Sequence, residues 1–385
     1  MQELMQKTAK DVSLANGEMV PLTSLRGIAA LGVVVFHIDV CLFYRDMGTL
    51  LPKVSSGLIA NGYLWVDFFF ILSGFVIHHA YAERLGAGFR WRTAARYYRA
   101  RFFRIYPLHL VLTLLLVAGA VAAGAAWPSL RDGSWDAFFK PAALPANLLM
   151  LHAMAPGAGL TWNIVSWSIA AEWWVYAVAP LLIPIIASRG LVASAICIAA
   201  GGLVLISLYL AVGRQTLDIT FDYGVVRCLG GFLIGLGLYR LWRSLPRLSP
   251  AVADGFALSA LAGILMVMHL DANDLLVVPL FALLVFVGAS ARGRLNRALA
   301  SAVPHYLGRI SYSIYLVHGL VFMLFWFGAP ASGLRFQTPQ AAWTFALVFL
   351  VVTLAGAALT HRFIERPAQS LGHGSTRSGQ TSSSV

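Results

Sequence analysis

The chain has 385 residues, of which 59% are hydrophobic and only 11% charged, with a mean hydropathy of +0.75. A soluble globule carries roughly a quarter charged residues, so this composition excludes one and points to a polytopic membrane protein. The net charge of +12 would suggest a nucleic-acid partner in a soluble chain, but here it follows the topology of the apolar segments, and no nucleic acid is expected.

Residues 1–22 are polar, mixed in charge and without the apolar core of a signal peptide, so they read as an uncleaved cytoplasmic N-terminal segment. Segments long enough to cross the bilayer follow at 25–44, 61–82, 104–127, 163–186, 190–212, 222–241, 250–269, 274–290, 304–326 and 341–362. The expected fold class is all-α, a transmembrane helical bundle of about ten spans. With the N-terminus inside, nineteen lysines and arginines lie in cytoplasmic segments and six in the opposite loops, which places both termini in the cytoplasm. Residues 23–367 then form one membrane domain, and 368–385, rich in Ser, Gly and Thr, a disordered cytoplasmic tail. Cys41, Cys197 and Cys228 have neither metal nor disulfide spacing and read as packing residues.

The first span carries Arg26 and His37, eleven residues apart. That is about three helical turns, so both lie on one face, roughly 16 Å apart along the axis. An arginine at the mouth of a span and an imidazole near its middle suit a ligand that is charged at one end and reactive at the other. Snorkelling by Arg26 and bundle hydrogen bonding by His37 are the plainer alternatives.

Between the second and third spans, Arg84, Arg90, Arg92, Arg96, Arg99, Arg101 and Arg104 face one acid, Glu83. Interleaved with Tyr97, Tyr98, Phe102 and Phe103, they suit a phosphorylated or nucleotide-bearing ligand, because guanidinium groups grip phosphate and aromatic rings stack a base. Orientation signal and binding of anionic lipid are the competing explanation. Pro107 is expected in the first turns of the third span. The outer loop 128–161, with a short apolar stretch at 144–151, reads as an interfacial or re-entrant element lining an entrance.

Counting along the spans puts His37 and Glu172 about 12 Å, and Asp67 and His318 about 9 Å, below the outer surface. Four ionisable groups at one level are expected to partner one another. Ser168, Glu172 and Tyr176 recur every four residues and form a polar stripe that should face the bundle interior. Asp39 stands on a different helix face from His37, while His78, His79, His109, His269 and Arg227 read as packing or interfacial residues.

These motifs together resemble the integral membrane acyltransferase 3 family, which includes bacterial O-acetylases of surface polysaccharides and Nod factors and acylases of macrolides. Leu22-Thr-Ser-Leu-Arg26-Gly-Ile-Ala-Ala-Leu-Gly-Val-Val-Val-Phe-His37 is similar to its first-helix signature, and Trp65-Val-Asp67-Phe-Phe-Phe-Ile-Leu-Ser73-Gly74-Phe to its second. Arg101-Phe-Phe-Arg104-Ile-Tyr-Pro107 resembles its two-arginine element, and Ser166-Trp-Ser168-Ile-Ala-Ala-Glu172 its serine and glutamate stripe. Leu307-Gly-Arg309-Ile-Ser311-Tyr-Ser-Ile-Tyr-Leu-Val-His318 is similar to its late helix, and Ile364-Glu365-Arg-Pro367 to its closing element.

The resemblance implies a multi-pass protein of the bacterial inner membrane that moves an acyl group, acetyl being expected, from cytoplasmic acyl-CoA to a hydroxyl at the outer side. The acceptor would be a glycan or glycolipid: O-antigen, exopolysaccharide or lipid-linked sugar. It implies catalytic roles for His37, Glu172, Asp67 and Ser168, acyl-CoA contacts from Arg26, Arg101 and Arg104, and substrate contacts from Tyr176, His318 and Arg309. Acetyl-CoA is donor substrate, with no permanently bound cofactor and no metal; membrane lipids are partners, and a homo-oligomer is compatible with the pattern. Acylation of a small glycoside such as a macrolide, or export of polysaccharide or lipid without transfer, are the alternatives. Two departures stand out: no C-terminal esterase-like domain follows Glu365, so the membrane domain or a separate partner is expected to handle both substrates, and Trp173 occupies a position where the family often has a second acid.

Overall fold

The computed structural model describes residues 18–154, 159–213, 215–290, 293–331 and 338–373. Residues 1–17, the tail from 374, and Arg214, Arg292 and Arg335 of the charge count lie outside the described residues. In chain order the main helices are α1 (Val20–Tyr44), α2 (Trp65–Gly86), α3 (Trp91–Ala126), α4 (Trp167–Val212), α5 (Gly224–Ser244), α6 (Pro250–His269), α7 (Val277–Ala289), α8 (Ala302–Arg309), α9 (Ser311–Ala331), α10 (Pro339–Thr360) and α11 (Arg366–His373). No strand occurs among the described residues, and eight helices are long and apolar enough to cross a membrane. The all-α polytopic bundle expected from composition is the fold observed.

The eight helices and the ten segments read from sequence differ for two reasons. The stretch Asp274–Ala289 is apolar but short. The expected spans 163–186 and 190–212 form the single element α4, which breaks at Gly190 (φ 62°, ψ −138°), a conformation that a side chain would oppose. Before the break α4 runs parallel to α5, with Trp167 against Gly224 and Tyr176 against Phe232. After it the direction is reversed, with Ser194 against Gly237 and Gly201 against Gly230. The chain therefore turns back at Gly190, and α4 is two crossings.

Two expected boundaries shift. α3 starts at Trp91, so Arg92, Arg96, Arg99, Arg101 and Arg104 stand on its first turns rather than in a loop, and Pro107 lies well inside the helix. The expected span 304–326 is two helices: α8 crosses the start of α1, where an added Cβ on Gly308 would sit 2.1 Å from the Thr23 carbonyl, and α9 begins afresh at Ser311.

α2 and α5 meet along glycines. An added Cβ on Gly74 would stand 2.1 Å from the Phe232 carbonyl, and one on Gly235 2.0 Å from that of Ile71. Lipid offers no hydrophobic drive between helices, so close backbone contact through small residues supplies the dispersion attraction that holds them. This approach carries the buried ion pair of Asp67 and Arg227, in which Nε donates to Oδ1 at 2.9 Å and a terminal nitrogen to Oδ2 at 2.7 Å. The remaining guanidinium donors reach the carbonyls of Ile219 and Tyr63.

The described residues of the loop 128–161 fold into short helical turns. Asp132 caps Gly133–Phe138 and accepts a 2.8 Å hydrogen bond from Arg45 at the end of α1, while Trp326 of α9 donates to Ser134. The loop is thereby fastened across the ends of α1 and α9. Its returning limb contributes Leu160 and Ile164 to a cavity wall, in keeping with a lining role.

Candidate active site

Three cavities follow one another through the bundle. At one end a vestibule of about 1580 Å³ opens among the starts of α1 and α3 and the ends of α2 and α5. Arg26, Arg84, Arg96, Arg99, Arg101, Arg240 and Arg243 line it against only Glu18 and Glu83. Such a surplus of fixed positive charge suits a polyanion. The aromatic rings facing it are Tyr81 and Tyr239. Tyr97 and Tyr98, expected to stack a base, instead donate their hydroxyls to the carbonyls of Tyr176 and Ala177 and so fix α3 to α4.

Deeper in lies a narrow chamber of about 110 Å³, walled by Arg26, Arg101, Arg104, Ser168, Glu172 and Tyr176 among others. Six of the ten expected site residues therefore share one small space. Arg26 is aimed by Nε donating to Ser311 Oγ at 2.8 Å and by a bond to the Gly308 carbonyl at 3.1 Å. Arg101 lies over the Tyr81 ring, and its Nε is buried without a hydrogen-bond partner. Arg104 lies over the Tyr312 ring and pairs with Glu365. Glu172 accepts from the Tyr176 hydroxyl at 2.7 Å one turn along, as their spacing on α4 requires.

Beyond the chamber a third cavity of about 730 Å³ opens at the opposite end, with His37 in its wall. His37 Nδ1 is 2.9 Å from the Val33 carbonyl and 3.3 Å from His318 Nε2, and His318 Nδ1 is 3.3 Å from the Ile314 carbonyl. Carbonyl oxygens only accept, so each neutral ring carries its hydrogen on Nδ1 and leaves Nε2 as the basic atom. His318 spends that lone pair on His37, whereas His37 keeps its own. The rim of this cavity is tied together by side chains: Asp274 accepts from Tyr63, Thr216 and the Leu217 amide, and Asp271 from Asn61 and Lys53. Hydrogen bonds from Asn61 and Lys53 hold the Asp271 carboxyl below its ordinary range.

The cavities share walls. Arg26, Leu72, Val76 and Arg101 belong to both vestibule and chamber, and Val66 and Tyr315 to both chamber and distal cavity.

The four ionisable groups expected at one level divide into three sites. His37 and His318 form the imidazole pair, Glu172 lies among the arginines, and Asp67 is taken up by Arg227. Asp67 pairs with Arg227 rather than with His37, because the rotation of α2 turns this carboxylate toward α5. Arg309 is exposed beside Tyr306 and lines none of these cavities, because α8 ends there and turns it to the surface. His318 is buried behind His37 rather than facing open space.

Two residues escaped the sequence reading. Glu365, noted only within the closing motif, is buried and accepts from Arg104, Ser313, His361 and Gln369. Tyr315 stands between two cavities, and a tyrosine in an aromatic-rich helix gives no signal of that. Among the described residues no group of three His, Cys, Asp or Glu side chains is arranged to hold a metal ion.

Comparison with known proteins bears on what such an arrangement does. A family model described as an acyltransferase domain matches residues 22–362. The chain is 28% identical over 386 residues to Acyltransferase MdmB of Streptomyces mycarofaciens, covering 91% of each protein. It is also 39% identical over 97 residues to Protein 2 in picA locus of Rhizobium radiobacter, covering 25% of this chain and 43% of that one. No solved structure matches. The family model spans nearly the whole chain and the first relative is an acyltransferase matched over almost its full length, so the chain belongs to the integral membrane acyltransferase 3 family.

Proposed function

We propose that this membrane acyltransferase takes an acyl group, acetyl being expected, from acyl-CoA at the arginine-lined end and delivers it to a hydroxyl of a glycan or glycoconjugate at the His37 end. The arginine-lined end faces the cytoplasm and the His37 end the outer side of a bacterial inner membrane, as the distribution of lysine and arginine favours. The observation that carries the reading is the succession of three cavities that share wall residues, with cationic walls at one end and an imidazole with a free lone pair at the other.

The phosphates of the donor dock on the vestibule arginines, with Arg26, Arg101 and Arg104 at the narrowing where the thiol arm enters. Glu172 moderates the mutual repulsion of these three cations, and Tyr176 fixes its carboxylate. Arg227 and Asp67 keep α2 and α5 in register, so the chamber wall is stiff. The thioester reaches Tyr315 and the distal cavity, where the acceptor hydroxyl lies against His37.

His37 Nε2 takes the hydroxyl proton as the oxygen attacks the thioester carbon. The new C–O bond forms, the tetrahedral oxyanion collapses, the C–S bond breaks, and the thiolate recovers the proton from the imidazolium as free CoA. Alignment of two substrates in one enclosed space supplies much of the rate. The acyl group crosses the membrane without a separate carrier.

The test is acetyl-CoA-dependent release of free CoA by the purified protein in nanodiscs, supplied with an envelope glycan extract. Wild type is compared with His37→Ala and Arg26→Ala. Release that both substitutions abolish is expected. An active His37→Ala protein would sink the mechanism, and absence of both release and acetyl-CoA binding in wild type would favour a transporter.

A further inference from the structure

Tyr315, which lines both chamber and distal cavity, meets Ser168 of the chamber wall and so joins α9 to α4, with their oxygens 2.7 Å apart. Ser168 Oγ also stands 3.4 Å from the Val165 carbonyl, an atom that only accepts. Either oxygen could donate in the short bond, and the arrangement that gives both hydrogens an acceptor has the serine hydrogen along the long contact and Tyr315 donating to Ser168. Each oxygen is buried, and in that arrangement the serine hydrogen is the less committed donor of the two. The Tyr315 ring is wedged between Phe69, at 5.7 Å, and His318, at 5.4 Å, so the phenol cannot swing freely.

Resting on the transferase reading above, we infer that Tyr315 and Ser168 form a two-hydroxyl relay that stabilises the oxyanion of the acyl transfer. Ser168 gives its hydrogen to the developing oxyanion, exchanging a 3.4 Å contact for a short charge-assisted bond. Tyr315 acts through it as a positioning residue. Its donated hydrogen bond occupies a serine lone pair, aims the serine hydrogen away from the tyrosine, and makes that hydrogen a stronger donor. Tyr315 and His318 stand one turn apart on α9, and their ring contact links the hydroxyl pair through His318 to the base, His37 of α1. No proton leaves either hydroxyl. The proton taken from the acceptor goes to His37 and returns to the leaving thiolate.

The experiment measures kcat and the acetyl-CoA KM in the nanodisc assay, with envelope glycan extract as acceptor, for Ser168→Ala, Tyr315→Phe, the double variant and Ser168→Thr. Size-exclusion profile and thermal midpoint confirm the fold of each. Ser168→Ala is expected to lower kcat roughly 10²-fold, as loss of one oxyanion donor does. Tyr315→Phe should lower it roughly tenfold, with the acetyl-CoA KM unchanged in both. The double variant should be no slower than Ser168→Ala, because the tyrosine has nothing left to polarise. Ser168→Thr, which keeps the hydroxyl, should recover most of the rate. Additive losses in the double variant would overturn the relay, because the tyrosine would then not act through the serine, and a change in KM alone would overturn it by reducing the pair to donor binding. If Tyr315→Phe does not fold, the Ser168→Ala and Ser168→Thr pair decides: equal rates reject the hydroxyl donor. Full activity in Tyr315→Phe and Ser168→Ala beside an active wild type rejects the relay alone, whereas an inactive wild type rejects the transferase reading and the relay with it.

Discussion

Arg104 and Glu365 stand 261 residues apart in sequence and form an ion pair behind the wall of the central chamber. The closing segment of the chain, through the π turn His361–Glu365, thereby reaches back to aim an arginine of α3. Glu365→Gln removes the charge but keeps the shape, leaving Arg104 without its counter-ion. A rise of roughly tenfold in the acetyl-CoA KM with a smaller change in kcat is expected, read from initial rates across donor concentration. An unchanged KM would show that Arg104 does not hold the donor.

His318 supports His37 from behind without facing the cavity. His318→Gln retains a polar side chain and should slow transfer by roughly ten- to a hundredfold, whereas His37→Ala should reduce it to background. Both proteins should elute and melt as wild type. Equal rates for His318→Gln and wild type would reduce the imidazole pair to packing.

Asp67 and Arg227 are both buried, so removing either partner strands a charge away from water. Asp67→Asn should destabilise the bundle by about 3–5 kcal/mol. The double variant Asp67→Leu, Arg227→Met should regain much of that loss, because two apolar side chains replace the pair. Thermal unfolding in detergent separates the outcomes; a well-folded but inactive Asp67→Asn would instead give this carboxylate a part in the reaction.

The glycine contact between α2 and α5 leaves no room for a methyl group. Gly235→Ala should cost about 1–3 kcal/mol through forced separation of the helices. The thermal midpoint measures it, and an unchanged value would show that the two helices part without penalty.

Asp132 ties the outer loop to Arg45 in a region outside the spans. Burial alone would raise this carboxyl, but hydrogen bonds from Ser134 and Arg45 outweigh it and hold it below its ordinary range. The folded form thus keeps the charge to lower pH than the unfolded chain, so the latch contributes fully above the ordinary carboxylate range and is lost as pH falls through the lowered value. Because the pair is partly exposed, its worth is below about 1 kcal/mol. Wild type and Asp132→Asn should differ in thermal midpoint at pH 7 and converge in acid; a gap that persists below pH 3 would place the effect elsewhere.

Much of the candidate site is legible in the sequence because ionisable residues are rare in a hydrophobic chain and stand out. Arg26, Glu172 and His37 are each expensive in lipid, and position along a helix gives an expected depth for each. An expected depth says nothing of rotation: Asp67 and His37 are expected at one level, yet α2 turns one toward α5 while α1 turns the other toward α9. Arg227 reads as a packing or interfacial residue, and only the approach of α2 reveals its ion pair with Asp67. Glu365 was legible as a motif but not as a partner, since its target lies across the whole chain. Tyr315 carried no signal, because aromatic residues are common in such helices and only three-dimensional placement sets one between two cavities.

The two mouths of the bundle are electrically opposite. Seven arginines surround one, while Asp218, Asp271 and Asp274 outnumber Lys53 at the other. On the proposed reading, a highly anionic nucleotide would be attracted at the first and repelled at the second, both before and after giving up its acyl group. Spent CoA would then withdraw by the mouth through which it came, and only the small neutral acyl group would pass to the other side.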